Sequence, residues 1–320
     1  MKTATSFVAS VAAIALAACS TRPAAPGEPE GEPINPIAAT AAASVRNFTL
    51  GEFSALSLLD GTLSLPNDNK VFAVGRTPAE VAAVLAEAAL PTDRLELSLQ
   101  PLLVQTAERV LLFDAGAGGN MGPSAGKLSA SMAAAGVAPA TITDIFISHS
   151  HGDHVGGLVD AAGALAYPNA TIHIQAAEWD FLKGITADQA AAFGIGRHAA
   201  LIAAITPKVA PFAPDTEIVP GAVKAVDIKG HTPGHSGYLI TSGKTSLLYV
   251  GDTVHHFAIS VRRPDWTIAF DADPATAQES RKALLARSAA SGQLIYAFHF
   301  PFPGVGKVKG SEREYSWVAR

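Results

Sequence analysis

Residues 147–157 read ISHSHGDHVGG, and within them His149, His151, Asp153 and His154 set three imidazoles and one carboxylate in six positions. Alternate side chains of an extended backbone share a face, so His149 and His151, separated by Ser150, project to one side. Gly152 permits a sharp turn that brings Asp153 and His154 round from another direction. Donors converging on one point from several directions are what a metal ion requires. The plainer reading is a solvated surface loop. With 10 His in 320 residues, however, chance yields this spacing in roughly one chain in two thousand.

One loop cannot enclose two ions, and three distant stretches offer partners. KGHTPGHSGY carries His231 and His235, LLYVGDTVHH carries Asp252, and YAFHFPFPG carries His299. Singly, His299 reads as a satisfied core histidine and Asp252 as a turn or cap residue. Together they supply His…Asp…His, each at the mouth of an apolar strand, where an unpaired carboxylate would be costly. His235, four residues beyond His231, and Asp114, after LLF, are expected to steady the ligands rather than bind an ion. His255 and His256 follow Asp252 closely and could line the pocket, but read more plainly as loop histidines. His173, mid-strand, and His198, in a helix, have no claim on the site.

The elements that must position these residues alternate short apolar runs with Gly, Asp and Pro breaks. FTLGEFSALSLLDGTLSL predicts two strands split at Asp60-Gly61, and LSLQPLLVQTAERVLLFDAG two more with a turn near Glu108. ITDIFISH is a buried strand running into the histidine cluster. Further strands are expected at ATIHIQ, VKAVDI, GYLITS, TSLLYVGD and QLIYAFHF, with helices at 127–137, 176–183, 187–205 and 275–290. Antiparallel-looking pairs mixed with strand–helix units point to two sheets with helices outside. A chain that is 48% hydrophobic and 16% charged folds around a sizeable core. Its net charge of −5, with no basic stripe, argues against a nucleic-acid partner.

The N-terminus stands apart. Residues 1–18 combine Lys2 with an apolar run from Phe7 to Ala18, too short to span a bilayer, and read as an export signal. Leu16-Ala17-Ala18-Cys19 resembles the lipobox of bacterial lipoproteins, which implies lipidation of Cys19, the only cysteine. Ser20, where an inner-membrane retention signal would be Asp, favours the outer membrane. Residues 19–44, rich in Pro, Ala, Gly and Glu, read as a disordered tether, leaving 45–320 as the folded body. The expected location is therefore periplasmic, with membrane contact only through the N-terminal lipid anchor.

His149-Ser150-His151-Gly152-Asp153-His154, His231, Asp252 and His299 together resemble the complete ligand series of the metallo-β-lactamase fold superfamily, over a span from about residue 46 to the end. LGEFSALSLLDGTLSLP, LLFDAGAGGNMGPSAGKL, AYPNATI, GHTPGHSGY and FHFPFPGVG are similar to the methyl-parathion-hydrolase-like group of periplasmic hydrolases. The resemblance implies an α/β (α+β) fold, a four-layer αββα sandwich. It assigns His149, His151 and His231 to one ion, Asp153, His154 and His299 to a second, and Asp252 to both. Such donor sets suit Zn²⁺, with Mn²⁺, Fe²⁺ or Co²⁺ as alternatives. Two dications roughly 3.5–4 Å apart would share a hydroxide able to attack an ester, lactone or phosphotriester. Asp252 and Asp153 are then the catalytic carboxylates, and no Ser or Cys nucleophile is needed.

Two aromatic pocket positions of methyl parathion hydrolase fall on Met121 and Leu182, and an arginine at its pocket mouth falls on Lys70. The expected pocket is thus altered but still apolar, which favours small-molecule aryl esters or lactones over organophosphates. Trp179, Phe181 and Phe302 are nearby in sequence. The runner-up is a β-lactamase, but true class B enzymes place Cys or Ser where Asp252 stands. A glyoxalase II or sulfur dioxygenase fits poorly with export away from glutathione. A non-catalytic metal-binding lipoprotein is the rival from another class. A homodimer is compatible with the sequence.

Overall fold

The computed structural model describes residues 43–320. The export signal, Cys19 and all but the end of the tether lie outside them. The first part of the chain supplies β1 (Val45–Leu50), β2 (Phe53–Leu58), β3 (Gly61–Pro66), β4 (Phe72–Val74), β5 (Arg94–Leu99), β6 (Leu102–Gln105), β7 (Val110–Phe113), β8 (Asp144–Phe146), β9 (Thr171–Gln175) and β10 (Val209–Phe212). The second supplies β11 (Glu217–Val219), β12 (Val223–Asp227), β13 (Ser236–Ser242), β14 (Thr245–Tyr249), β15 (Thr267–Ile268), β16 (Leu294–Tyr296), β17 (Val305–Ser311) and β18 (Glu314–Ala319). The α-helices are α1 (Pro78–Glu87), α2 (Leu128–Ala134), α3 (Gly152–Val155), α4 (Ala176–Gly184), α5 (Ala187–Ala192), α6 (His198–Ile205), α7 (Ile259–Arg262) and α8 (Pro274–Ser291).

Two seven-stranded sheets result, ordered β1-β2-β6-β7-β8-β9-β10 and β11-β12-β13-β14-β16-β17-β18. The central runs VLLF and DIF pair in parallel and are almost wholly buried, because both faces of this sheet are covered. Between the sheets, Phe113 and Phe146 of the first stack at 4.8 Å and meet Tyr238 and Tyr249 of the second. The outer face of the first sheet buries Met132 of α2, Trp179 and Leu182 of α4, and Leu201 and Ile205 of α6. That of the second buries Leu284 and Leu285 of α8. Helix, sheet, sheet and helix thus form the expected four-layer αββα sandwich. Each large apolar side chain so buried stabilises it by about 1.5–3 kcal/mol. Among the described residues no helix is long and apolar enough to cross a membrane.

Four local expectations need correction. The FTLGEFSALSLLDGTLSL stretch holds three strands, because a turn at Gly51-Glu52 separates β1 from β2 in addition to the break at Asp60-Gly61. The single helix expected over 187–205 is two, interrupted where Gly194 takes a φ of 77°. Helix α1 was not anticipated, although Thr77 and Glu80 form a capping box around Pro78. The β17–β18 hairpin was likewise missed; its burial alternates irregularly.

Asp144 secures the far end of β8 from the site. Its carboxylate accepts from Arg109 at 2.9 Å, Thr143 at 2.8 Å and His173 at 2.8 Å. Burial pushes its pKa up, but these three donors outweigh burial and hold it at about 2. A carboxylate depressed from 3.8 contributes stability above about pH 4, and that contribution is lost as pH falls through about 2. Asp144→Asn should therefore cost about 1–3 kcal/mol at pH 7. In chemical denaturation the gap between variant and parent should close towards pH 2.

Candidate metal centre

The C-terminal ends of β8, β12, β14 and β16 open at one edge of the sandwich, and the residues singled out for metal chemistry follow them. The β8 strand delivers His149 and His151 in extended backbone. α3 then starts at Gly152 and turns Asp153 and His154 inward. Gly152 has no room for a side chain: its N–H donates to the Phe193 carbonyl at 2.8 Å, and a Cβ would stand 2.2 Å from the Gly194 oxygen. The break between α5 and α6 is thereby clamped onto the histidine loop, and Phe193 stacks on His151 at 5.0 Å.

The seven side chains meet in two groups. His231 Nε2 lies 3.2 Å from His149 Nε2 and 3.0 Å from His151 Nδ1. Nitrogens held tetrahedrally at about 2.0–2.1 Å from one Zn²⁺ stand about 3.3 Å apart, so this trio has the span of a three-imidazole site. In the second group Asp153 Oδ2 lies 3.6 Å from His154 Nε2 and 3.5 Å from His299 Nε2. Asp252 faces both: its Oδ2 is 3.6 Å from His149 and from His231 and 3.1 Å from His299, and its Oδ1 is 3.2 Å from His154. All seven are buried. His154 Nε2 and Asp252 Oδ1 have no hydrogen-bond partner despite complete burial, an arrangement that a cation would relieve.

The outward nitrogens of four of the five imidazoles are satisfied, which fixes those rings. His154 Nδ1 donates to Asp114 at 2.7 Å, His231 Nδ1 to Asp271 at 2.9 Å, His299 Nδ1 to the Ser98 carbonyl at 2.9 Å, and His149 Nδ1 to Ser148 Oγ at 3.1 Å. Asp114 also accepts from Ser148 N, Ser148 Oγ and the Tyr249 hydroxyl, joining the two sheets under the site. Burial, with neighbouring imidazoles, pushes His149, His151 and His231 well below the usual histidine pKa, so they stand neutral and ready to donate lone pairs. Burial opposes charge on His154 too, but Asp252, Asp153 and Asp114 outweigh it and hold its pKa well above the usual range. Burial would raise Asp252, yet His299, His154, His255 and His149 hold it well below the carboxylate range. This end of the pocket is built to hold positive charge beside carboxylates.

His235 donates from Nδ1 to the Ile228 carbonyl at 3.0 Å, and its Nε2 accepts the Asp252 N–H at 3.0 Å. Both nitrogens are engaged, so it steadies the Asp252 backbone and offers no lone pair to an ion. His255 lies in a loop, as expected, but the loop turns it into the site. It is 1% exposed, its Nε2 lies 3.2 Å from Asp252 Oδ2, neither ring nitrogen has a hydrogen bond, and with Asp252 and His299 it forms a third group of donors. His256 turns away from the site.

A cavity of about 300 Å³ lies above the cluster, walled by Leu63, Leu65, Leu97, Met121, Phe193 and Phe270 and floored by His151, Asp153, Asp252, His255 and His299. Met121 is thus in the wall. Leu182 is not: it is fully buried in the outer core, because α4 turns it towards the first sheet. Lys70 is exposed, pairs with Asp68 at 2.8 Å, and does not line the cavity. Trp179 is core, Phe181 packs on Phe193 from outside, and Phe302 borders a different cavity.

Two supporting residues escaped the sequence reading. Asp271 holds His231 and is held in turn by the buried Arg281 at 2.9 Å. Glu178, at the start of α4, accepts from Ser150 N at 2.8 Å, from Ser150 Oγ, and from Gly234 N at 3.0 Å. It ties the His149–His154 loop to the His231 loop. Glu178→Gln places an amide N–H against one of those donors and should weaken cation binding by about 10- to 100-fold. Chelator competition on the purified protein measures this.

A profile of the metallo-beta-lactamase superfamily matches residues 101–299. The chain belongs to this superfamily. Superfamily membership and the paired donor groups make the protein a metal-dependent hydrolase. Among solved structures it is similar to AidC, described as a dizinc quorum-quenching lactonase in complex with a product. That match has 30% identity and a TM-score of 0.81, covering 87% of this chain and 97% of that one. It is also similar to the hydrolase AbOPH of the beta lactamase superfamily, at 27% identity and a TM-score of 0.77, with coverage of 87% and 97%. A probable metal-dependent hydrolase from Staphylococcus aureus, at 23% identity and a TM-score of 0.68 over 85% of this chain and 99% of that one, shares the fold. None of the curated proteins matches.

Proposed function

We propose that the protein hydrolyses a small, neutral, apolar ester or lactone, with two divalent cations, Zn²⁺ foremost, held by His149, His151 and His231 on one side and Asp153, His154 and His299 on the other, and Asp252 between. The observation that carries this reading is the pairing of two donor groups on either side of one carboxylate, at the floor of an apolar cavity. The similarity to a dizinc lactonase supports the same class.

Two cations so held would supply the Lewis acidity that deprotonates water at neutral pH and polarises the substrate's carbonyl. The protein does the rest. Asp114, Asp271 and the Ser98 carbonyl keep the imidazoles turned so that their bare nitrogens face inward. Leu63, Leu65, Leu97 and Phe270 exclude water and take up the alkyl or aryl part of the substrate. Asp153, whose carboxylate faces the cavity, is placed to take the proton of the attacking oxygen and return it to the leaving oxygen. An ester then yields a carboxylic acid and an alcohol, and a lactone a hydroxy acid. No Lys or Arg lines the cavity, so a substrate carboxylate held away from the metal centre, such as that of a β-lactam, meets no side-chain countercharge.

A panel of p-nitrophenyl esters, γ-lactones, a phosphotriester and nitrocefin tests the proposal on metal-loaded protein. Esters or lactones should be turned over at least about 10²-fold faster, by kcat/KM, than nitrocefin, which corresponds to about 2.7 kcal/mol. Nitrocefin as the preferred substrate would support the β-lactamase reading, and no turnover of any member would support a non-catalytic metal binder.

Export and anchoring at Cys19 belong to the same proposal, resting on the Leu16–Cys19 pattern. Cys19→Ser should move the protein from the membrane to the soluble fraction of a bacterial host. An unchanged distribution would count against lipidation.

A further inference from the structure

A second cavity, of about 350 Å³, lies next to the first, among β3, β5, the end of α1 and the loops carrying His256-Phe257 and Pro301-Phe302. Leu85, Leu90, Leu97, Phe257 and Phe302 give it apolar walls, and Leu97 is shared with the cavity above the metal centre. A volume of this size takes a ring or short chain of carbon atoms.

Five polar residues line it, of which Thr62, Arg94 and Glu96 are exposed and Ser98 is half-buried, so His256 is the one polar side chain buried in its wall. His256 is only 3% exposed, and its Nδ1 accepts from Ala258 N at 3.3 Å and from Ile259 N at 3.2 Å. A ring nitrogen that accepts backbone N–H groups carries no proton, so the proton of the neutral ring sits on Nε2. Nε2 has no partner among the described residues, and the ring forms part of the cavity wall. The buried part of the cavity therefore presents one fixed imidazole N–H donor beside the apolar walls of Leu85, Leu97 and Phe257.

The mouth selects further. Arg94 is held by Glu96 at 2.8 Å and by Asp93 at 3.1 Å, two carboxylates to one guanidinium. No surplus positive charge is available for an anionic ligand, and a cation would face the N–H donor. We propose that this cavity binds a small neutral molecule whose carbonyl-type oxygen accepts the His256 Nε2–H while its hydrocarbon part packs against Leu85, Leu97 and Phe257.

Fluorine NMR on the metal-loaded full chain tests this with three probes: 4-fluoroacetophenone, 1-ethyl-4-fluorobenzene and 4-fluorobenzoate. The ketone should bind about five-fold more tightly than the hydrocarbon, the worth of one neutral hydrogen bond, and the benzoate more weakly than either. In amide spectra the ketone should move Ser98 and Phe257. His256→Phe should erase the ketone's advantage while leaving the hydrocarbon's affinity in place. Thr62→Trp, which fills the mouth, should remove binding of both, and it carries the test if His256→Phe does not fold. Shifts confined to Met121, Phe193 and Phe270 of the other cavity would overturn the proposal. So would a ketone preference that survives His256→Phe, or binding that survives Thr62→Trp.

Discussion

Asp252→Ala should lower kcat/KM for any hydrolysed substrate by on the order of 10³–10⁴-fold and leave a protein that no longer retains two cations. The reason is geometric. Both oxygens of this one carboxylate are spent on the cluster, Oδ2 towards His149, His231, His255 and His299, Oδ1 towards His154. Without it the two donor groups have no common member, and the charge set against two dications falls by one. Asp252→Asn keeps the shape but offers an amide N–H or a neutral oxygen, and should fail almost as fully. The sandwich itself should survive, because the aromatic contacts between its sheets do not include this side chain. Steady-state kinetics with metal content, alongside circular dichroism, separate the two effects; unchanged kinetics in either variant would remove the bridging role.

Gly152→Ala should be nearly as damaging although it removes no chemical group. On helix propensity alone the change favours the variant by about 1 kcal/mol, since Gly152 opens α3. The added methyl, however, would lie 2.2 Å from the Gly194 carbonyl oxygen, a backbone atom that cannot rotate away. Either the histidine loop or the loop between α5 and α6 must move. The first displaces His151 and Asp153, and the second withdraws Phe193 from both His151 and the cavity wall. The collision should win, costing about 1–3 kcal/mol of stability. A displacement near 1 Å at the centre costs about 10²-fold in kcat/KM. A variant as stable and active as the parent would show that the clamp between these loops is unimportant.

How much of this centre was legible depended on how local each signal was. Four donors in six positions declare themselves, and the partners at His231, Asp252 and His299 could be found because polar residues at the ends of apolar strands are costly without a purpose. Asp114 and His235 were legible as supports for the same reason. Asp271 and Glu178 were not: each acts on a residue 40 or 56 positions away, and nothing in its own neighbourhood marks it. For His255, closeness to Asp252 allows a place in the pocket but does not decide between that and a plain loop; the 3₁₀ turn at Gly251–Thr253 and the strand-like backbone at Val254 bring it back over the carboxylate. Lys70 and Leu182 failed for a further reason. Matching a flanking phrase fixes where a residue sits along the chain, not which way α4 or an exposed loop points its side chain. The same holds for the helix expected over 187–205, whose alanine-rich pattern hid the break at Gly194 that shapes the cavity.

Metal content per chain decides whether a pair of cations sits around Asp252. Protein stripped with a chelator, reloaded with Zn²⁺ and freed of excess should hold two ions per chain by elemental analysis, and one or none in Asp252→Ala. A parent protein that retains fewer than two, or a variant that retains both, would contradict the pairing.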